Sequence, residues 1–528
     1  MKGYKIFSAS LALLLGWSGA AFAQNENDAL RYTRLGVYGS ARIQGIGGAQ
    51  SALGADISTM AVNPAGLGMF RRSEVSGSIG ISSFNSNARI MNDDFNFGSS
   101  TTDAKNNINI PQAGFVLSNR KDDSEEGDWR GATIGLTYTR LNDFNQQFNY
   151  SNTAVVPNTI ADYFAELANS RSLSNGETLT QSLDNEYDDG FTSLEGLAYG
   201  TYLIDIFEDN QGQYALPIAS YGDIAQQEEI IRRGSQNQID FGIGTSYKDK
   251  VYLGAALGIV TSRFTQERIF SESGEYDARF DDNGDPDLSG EYTLTLRDEF
   301  TSEGAGINLK VGAIYRPADA VRLGLSIQTP TAFNFSEVYQ STLTATTLNP
   351  VSEAYETITA SELPGEFSYN LITPLRATGG IAVFLNKYGF IAADVEYVNY
   401  PGMRFSENDE YGSTGDYFSG VNSSIKDTYQ SAVNLKIGAE ARYEIFRFRT
   451  GYAISGDPYK SADFNGKINT FTLGAGIRLQ NFYVDAAYTN TDSMRSKYSP
   501  YTLADESEPV VELKNGFSNM IFTVGYNF

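Results

Sequence analysis

The sequence predicts an all-β protein, a transmembrane antiparallel β-barrel of about 14 strands with an N-terminal hatch, or plug, in the barrel lumen. Three observations support this prediction. No apolar run after residue 23 approaches the roughly 20 residues that a membrane helix requires. From residue 73 onward, apolar residues alternate with Gly, Thr, Asn or charged residues, which is the period of a strand with one apolar face. Short and long links alternate strictly along the chain, as they do in barrels that have short turns on one side of a membrane and long loops on the other.

The chain begins with a secretory signal peptide, predicted to cover residues 1–23. Lys2 and Lys5 form its basic region, an apolar stretch runs from Leu11 to Trp17, and a small-x-small cleavage pattern ends at Ala23. We therefore expect the mature chain to start near Gln24, beyond the inner membrane, and to divide into a hatch segment at 24–72 and a barrel at 73–528.

Composition excludes several classes of protein. The chain has no Cys and no His, which excludes thiolate nucleophiles, the Ser-His-Asp arrangement and His-ligated zinc or haem. Its 64 Asp and Glu against 39 Lys and Arg give a formal charge of −25, which argues against a nucleic-acid partner. We expect no enzyme activity, no cofactor and no metal site. The acidic runs at 122–128 and 281–287 are interpreted as solvated loops, and calcium binding in them stays open.

The alternating segments give the strand prediction. The predicted strands are 73–85, 107–119, 129–150, 233–248, 249–268, 290–316, 319–345, 364–385, 388–404, 427–444, 446–456, 466–480, 481–493 and 512–528. The final strand ends in Phe528, which continues its apolar face. A terminal aromatic residue of this kind is the signal that outer-membrane barrel assembly machinery recognises, so that machinery is an expected partner.

The longest link, 150–233, is predicted to be an extracellular loop that is partly helical. Helix-like apolar spacing occurs from Thr159 to Ser172 and from Phe191 to Phe207. Such helices suit a first landing place for an apolar ligand, and they equally suit a lid whose helices pack on each other. Both interpretations stay open.

The hatch segment at 24–72 alternates poorly and is rich in small residues. Small residues allow close backbone packing, which suits a segment folded against a Gly-rich lumen. Gly45-x-Gly47 resembles the start of a dinucleotide loop, but Gln50 occupies the position of the third Gly and no strand-to-helix context fits. The Asn63-Pro64 turn should end any regular structure before it.

The order of these features resembles the outer-membrane long-chain fatty-acid transporter family, FadL/TodX type. Asn63-Pro64-Ala65, followed by Gly66, matches the hatch motif of that family, and the stretches 304–317, 371–400 and 446–459 resemble its later strands. The resemblance implies a Gram-negative outer-membrane barrel that captures a hydrophobic ligand from outside and releases it sideways into the membrane. The release gap would lie where the third strand kinks inward, with the Asn63-Pro64 turn abutting that strand. A simple tight turn leading into the first strand is the other interpretation.

A carboxylate ligand would need Arg or Lys in the lumen. Lys310 and Arg376 are the candidates, because no acidic residue shares the nearby lumen-facing positions of their own strands. Most charges inside a lumen instead pair with each other.

The function predicted on these grounds is passive uptake of hydrophobic compounds, with long-chain fatty acids as the leading class and outer-membrane lipids as surroundings. The alternatives are a general diffusion porin and a haem or lipid receptor. The absence of His and Cys disfavours haem, although Tyr can ligate its iron.

Overall fold

The computed structural model describes residues 26–91, 100–121, 127–154, 158–174, 176–210, 212–280, 286–408, 417–461, 465–505 and 507–528. The predicted signal peptide and most of the two acidic runs lie outside these residues.

The described chain is mainly β-strand. The strands are β1 Glu74–Met91, β2 Thr101–Asn109, β3 Gln112–Arg120, β4 Trp129–Asp143, β5 Gln146–Ala154, β6 Ile204–Asp209, β7 Gly212–Pro217, β8 Ala219–Tyr247, β9 Val251–Phe280, β10 Pro286–Ala318, β11 Val321–Gln328, β12 Ala332–Leu348, β13 Tyr355–Ser361, β14 Gly365–Ile372, β15 Arg376–Phe384, β16 Gly389–Val398, β17 Arg404–Glu407, β18 Ala432–Tyr443, β19 Phe446–Ser455, β20 Ile468–Arg478, β21 Phe482–Tyr498 and β22 Val510–Asn527.

Helices are short and lie before the barrel or in its loops. They are α1 Glu26–Thr33, α2 Ala41–Gln44, α3 Ile160–Ser170, α4 Leu179–Asp189, α5 Leu194–Gly200 and α6 Tyr417–Thr428, with 3-10 helices at Ile57–Ala61, Pro64–Met69 and Tyr400–Gly402. None of the helices described is both long and apolar enough to span a membrane.

One antiparallel sheet closes on itself. Apart from the β6–β7 hairpin, all strands belong to this 20-stranded sheet, and β1 pairs with β22 from Glu74↔Asn527 to Met91↔Val510. The 20 strands of the sheet make up a closed barrel of 14 strands. The numbers differ because five of the barrel strands are interrupted, and each of these consists of two or three of the segments named above. The second is β2–β3, the third β4–β5, the seventh β11–β12, the eighth β13–β15 and the ninth β16–β17. The predicted barrel of about 14 strands is confirmed.

The two faces of the wall differ as their alternation indicates. In β1, Ile79 is 60% exposed while its neighbour Ser78 is buried, and in β22 Phe522, Val524 and Tyr526 point outward. An outward apolar band and a polar or Gly-rich lumen are typical of a barrel surrounded by lipid.

Several strands are longer than predicted. β8 begins at Ala219 rather than near 233, and β9 and β10 continue to 280 and from 286. The continuous outward apolar stretch of β9 runs to Ile259, and Arg263 and Glu267 follow on the same face. A membrane strand needs only about 9–11 residues, so these extensions form a rim beyond the apolar band, and their polar outer face obscures the strand pattern in the sequence.

A cap lies on the long-loop end of this rim. Helix α3 falls where helix-like spacing was predicted, and α5 occupies part of the second predicted stretch, but Ile204–Asp209 is a strand and α4 was not predicted. The helices bury Phe164, Leu183 and Leu197 against Phe270 and Leu343 of the rim strands. In this cluster the helices pack on each other as well as on the barrel, and a lid and a landing place for a ligand both stay open as interpretations.

Candidate functional site

The N-terminal segment lies inside the barrel, in close contact with glycines of the wall. A Cβ on Gly254 would stand 2.3 Å from Pro64 O, and one on Gly324 would stand 2.2 Å from Ser51 O. At Gly451 it would stand 2.2 Å from Gly47 N. Gly in the wall is therefore required for the segment to approach the strands as closely as it does.

The Asn63-Pro64 turn starts a 3-10 helix and fastens the segment to the wall. The Asn63 side chain accepts a hydrogen bond from Ala65 N (3.1 Å) and donates to Ser51 O (2.7 Å). The same amide lies 3.3 Å from Ala313 O of β10 and 3.4 Å from Leu325 O of β11. All four motif residues, Asn63 to Gly66, are buried. Together with the contact of Pro64 O with Gly254 of β9, these bonds dock the turn on the fifth, sixth and seventh barrel strands.

A buried carboxylate holds the middle of the segment. Asp394 of β16 accepts hydrogen bonds from Gln50 N (2.8 Å), Ser51 N (2.9 Å) and Ser51 Oγ (2.6 Å). Hydrogen bonds to an ionised acceptor are stronger than neutral ones, so Asp394 is the principal polar anchor of this part of the segment.

Lys310 and Arg376, the ligand-binding candidates from the sequence, each pair with a carboxylate of another strand. Lys310 Nζ lies 2.6 Å from Asp240 Oδ1 with both side chains at most 1% exposed, and Arg376 Nη1 lies 3.0 Å from Glu396 Oε1. Asp240 is on β8 and Glu396 on β16, so each partner comes from a different strand. Alternation within a single strand cannot show such partners, because they are brought close only by curvature or pairing of the sheet.

The third barrel strand is broken at Phe144 and Asn145. Both halves keep their pairing with β8, where Gly234 (φ +126°) accepts a hydrogen bond from Phe144 N at 3.1 Å. Beyond the break, Phe148 and Tyr150 of β5 are buried against Ala88 and Ile90 of β1 and against Val511 and Leu513 of β22. Those four residues are on the lumen side of their strands, so the outer half of the third strand bends into the barrel.

The bend opens the wall between the second and third strands. The β3–β4 ladder ends at Gln112↔Thr139, and among the described residues β2 has a ladder only with β1. Asp103 of β2 bridges the gap instead, since its Oδ2 accepts hydrogen bonds from Asn149 N (2.8 Å) and Asn149 Nδ2 (2.7 Å). Side chains thus replace backbone pairing along this part of the wall.

Helix α1, rather than the Asn63-Pro64 turn, contacts the break. Tyr32 packs edge-on against Phe144 with ring centroids 6.2 Å apart, and Asn142 Nδ2 donates to Arg34 O at 3.3 Å. The 3-10 helix that begins at Pro64 meets the same strand well before the break, with Leu67 beside Gly135 of β4, so a coupling role for the turn stays a prediction. The chain approaches the kink through residues 32–34, where the sequence shows no motif.

An arginine that the sequence did not single out lies beside the break. Arg232 of β8 donates to the amide oxygens of Gln266 (2.7 Å) and Gln146 (3.2 Å), and its guanidinium lies 5.6 Å from the centre of the Phe148 ring. Both acceptors are neutral. Arg232 was missed because residues 150–233 were interpreted as a loop, which hid the lumen-facing alternation of the first half of β8.

An apolar cluster fills the lumen between the segment and the cap. It surrounds Tyr32 of α1 and is formed mainly by aromatic residues, among them Phe144, Phe264, Phe333, Phe335, Tyr369, Phe405 and Phe418. Tyr32 also donates a hydrogen bond to Ser302 Oγ at 2.8 Å. The kink, the gap and Arg232 thus border a region lined with aromatic rings.

Comparison with solved structures agrees with this architecture. A Pseudomonas aeruginosa FadL homologue matches over 94% of this chain and 100% of its own, with 12% identity and a TM-score of 0.52. The P. putida toluene transporter TodX matches over 93% and 99%, with 13% identity and a TM-score of 0.47. The Ralstonia pickettii toluene transporter TbuX matches over the same shares, with 15% identity and a TM-score of 0.47. No family model and no curated protein matches the sequence. The match to the P. aeruginosa FadL homologue, together with the closed 14-strand barrel, shows that the fold of this chain is that of a FadL-type β-barrel.

Proposed function

We propose that this chain is an outer-membrane passive transporter of hydrophobic compounds, rather than an enzyme, and that long-chain fatty acids are its cargo class. The observation that carries the proposal is the inward bend of β5, which leaves a gap in the wall of a barrel whose lumen its own N-terminal segment occupies. A ligand held among the aromatic residues beside Phe144 would be next to that gap and would reach lipid without passing the whole barrel.

The choice of fatty acids rests on Arg232. Its two acceptors are neutral amide oxygens, so a carboxylate would be a stronger partner than either. The ring of Phe148 lies beside the guanidinium and would exclude water from the pair. The acyl chain would extend from this head-group position into the aromatic cluster around Tyr32. An uncharged hydrocarbon would bind in the aromatic cluster around Tyr32 without a contact to Arg232.

In this scheme residues 24–72 act as the hatch. The hydrogen bonds of Asn63 and Asp394 keep it docked, and α1 contacts the kink through Tyr32. Ligand that displaces Tyr32 would therefore act on the hatch and on the gap together. Cleavage of the signal peptide near Ala23 and recognition of Phe528 by the assembly machinery belong to the same proposal.

The test is native mass spectrometry with lipid extraction on the detergent-purified barrel. A fatty acid bound at about one per barrel supports the proposal. A hydrocarbon bound at the same ratio would support a transporter of hydrophobic compounds but would reject fatty acids as its cargo. An empty barrel that conducts ions in a planar bilayer would overturn both and favour the diffusion porin.

A further inference from the structure

A helix closes part of the wall between the ninth and tenth barrel strands. β16 pairs with β18 only as far as Val398↔Ala432. The ninth strand then breaks and continues as β17, whose one ladder among the described strands is with β14. The other edge of β17 is met by α6. Asn422 Oδ1 accepts a hydrogen bond from Phe405 N (2.8 Å), and Asn422 Nδ2 donates to Phe405 O (2.9 Å).

This closure is weaker than a paired stretch of the wall. In the part of the chain that the structure describes, the amide side chain of Asn422 takes the place of a neighbouring strand, and its two hydrogen bonds lie at one residue of β17, whereas a ladder would run along the whole edge. Where neighbouring strands are paired, the barrel opens only by breaking several backbone bonds at once. Displacing α6 from β17 breaks the two bonds of Asn422 and exposes the inner side of the helix.

The two sides of α6 differ in character. Phe418 and Ile425 are buried on the inner side, at 5% and 0% exposure. Ser419, Ser423 and Lys426 are exposed on the outer side. The helix therefore covers an apolar interior with a polar surface, and when the helix moves outward an apolar molecule could pack against the interior in place of the Phe418 ring.

A continuous row of rings lies behind the helix. Going inward, the successive centroid distances are 6.2 Å from Phe418 to Phe405, 5.3 Å from Phe405 to Tyr369, 5.4 Å from Tyr369 to Phe335, 4.5 Å from Phe335 to Tyr32 and 6.2 Å from Tyr32 to Phe144. The row runs from α6 across the lumen to the kink of the third strand. One end of the row is the edge of β17 that α6 covers, and the other is the bend of the third strand.

We propose that α6 is a movable section of the wall and that it forms an access port through which apolar molecules reach this aromatic row. The inference rests on the proposed transport function and adds to it the side from which the cargo arrives. Long acyl chains and small aromatic molecules both fit a passage made of successive ring faces and edges. The port and the gap beside β5 are then opposite ends of one apolar path.

The chain has no Cys, so a single introduced Cys can be labelled selectively and reports whether α6 moves away from the wall. Ile425→Cys puts the thiol on the buried side of α6, and its reaction with a membrane-impermeant maleimide is followed in intact cells. Adding Asn422→Ala removes both bonds to Phe405, and the labelling rate should rise about ten-fold. Ser423→Ala is the matched control, because its hydroxyl donates to Ser419 O within the helix rather than to β17, and it should leave the rate unchanged.

Uptake is measured on the same variants without the reporter thiol. Asn422→Ala should raise the initial rate of fatty-acid uptake, and Ser423→Ala should not. If either the labelling or the uptake of Asn422→Ala stays at the native value, the port is rejected. If Asn422→Ala fails to give the heat-modifiable gel mobility of a folded barrel, Asn422→Asp, which keeps the acceptor for Phe405 N, is measured in its place with the same criteria. Native protein that neither binds nor takes up hydrophobic compounds would instead reject the transport function itself.

Discussion

Ser51 of the N-terminal segment donates two hydrogen bonds to Asp394 of the wall, from its hydroxyl at 2.6 Å and from its backbone nitrogen at 2.9 Å. Asp394→Ala removes these bonds and the one from Gln50, a loss on the order of 3 kcal/mol in docking energy. We expect the barrel to fold while residues 26–72 become sensitive to protease and ion conductance rises. Asp319→Ala, in an exposed turn, is the control. Unchanged protease sensitivity would mean that Asp394 does not hold the segment.

Asn63→Ala should lower uptake and leave the barrel folded. The side chain caps the 3-10 helix through Ala65 N and reaches Ser51 O and the β10 backbone, and loss of such a cap costs about 1 kcal/mol. Asn63→Asp keeps the acceptor for Ala65 N and loses the donor to the wall, so comparing the two variants separates capping from docking. Native uptake in Asn63→Ala cells would show that the turn has only a local structural role.

Arg232 and Lys310 should behave differently when truncated. Arg232→Ala is expected to weaken binding of a fatty acid, measured by isothermal titration, by about ten-fold or more, while binding of an alkane of equal length changes little. Arg232→Lys should restore part of the loss. Equal losses for the acid and the alkane would show that Arg232 supports the pocket rather than the carboxylate.

Lys310→Ala leaves Asp240 buried without its 2.6 Å partner. Removing one member of a buried pair costs roughly 3–5 kcal/mol, so we expect a lower unfolding temperature and similar losses for both ligands. A selective loss of fatty-acid binding with unchanged stability would instead support Lys310 as the head-group residue that the sequence suggested.

A disulfide across the gap should stop lateral release. Asp103→Cys with Asn149→Cys joins residues whose side chain and backbone are already in contact, and oxidation should lower uptake until a reductant is added. The control pair is Thr344→Cys with Thr359→Cys, which lie opposite each other in the continuous β12–β13 ladder with their hydroxyls 3.0 Å apart. Full cross-linking of 103 to 149 with native uptake would place the release path elsewhere.

The cap should loosen as pH rises. Burial raises the pKa of Glu272 to about 7, with Asp162 adding to the shift while hydrogen bonds from Gln226, Tyr292 and Ile160 N oppose it. Because Glu272 holds its proton more tightly in the folded cap than in the unfolded chain, its contribution to the stability of the cap is complete below the ordinary Glu pKa of about 4.3. That contribution, about 1–3 kcal/mol, is lost as pH rises through 7. Amide exchange of α3, corrected for intrinsic rates, should be faster at pH 8.5 than at pH 5.5. Glu272→Gln should remove the difference, and an equal difference in that variant would exclude Glu272.

The sequence by itself determined the barrel. Segments such as Val433 to Tyr443 alternate between apolar and other residues, because a strand in lipid must keep every second residue apolar. This alternation predicts which side chains face the lipid, and the strict order of short and long links predicts the number of strands. The small residues of the N-terminal segment also predicted close packing, since contacts such as Pro64 with Gly254 admit no side chain.

Only the tertiary structure decided how the strands and the segment meet. Asp240 beside Lys310, Tyr32 beside Phe144 and Asn422 beside Phe405 are far apart in the chain, and no local period marks them. The bend at Phe144 likewise depends on Gly234 in a neighbouring strand. Periodicity reports the environment of each residue along one strand, whereas ion pairs, gaps and helix contacts depend on which strands curvature brings together.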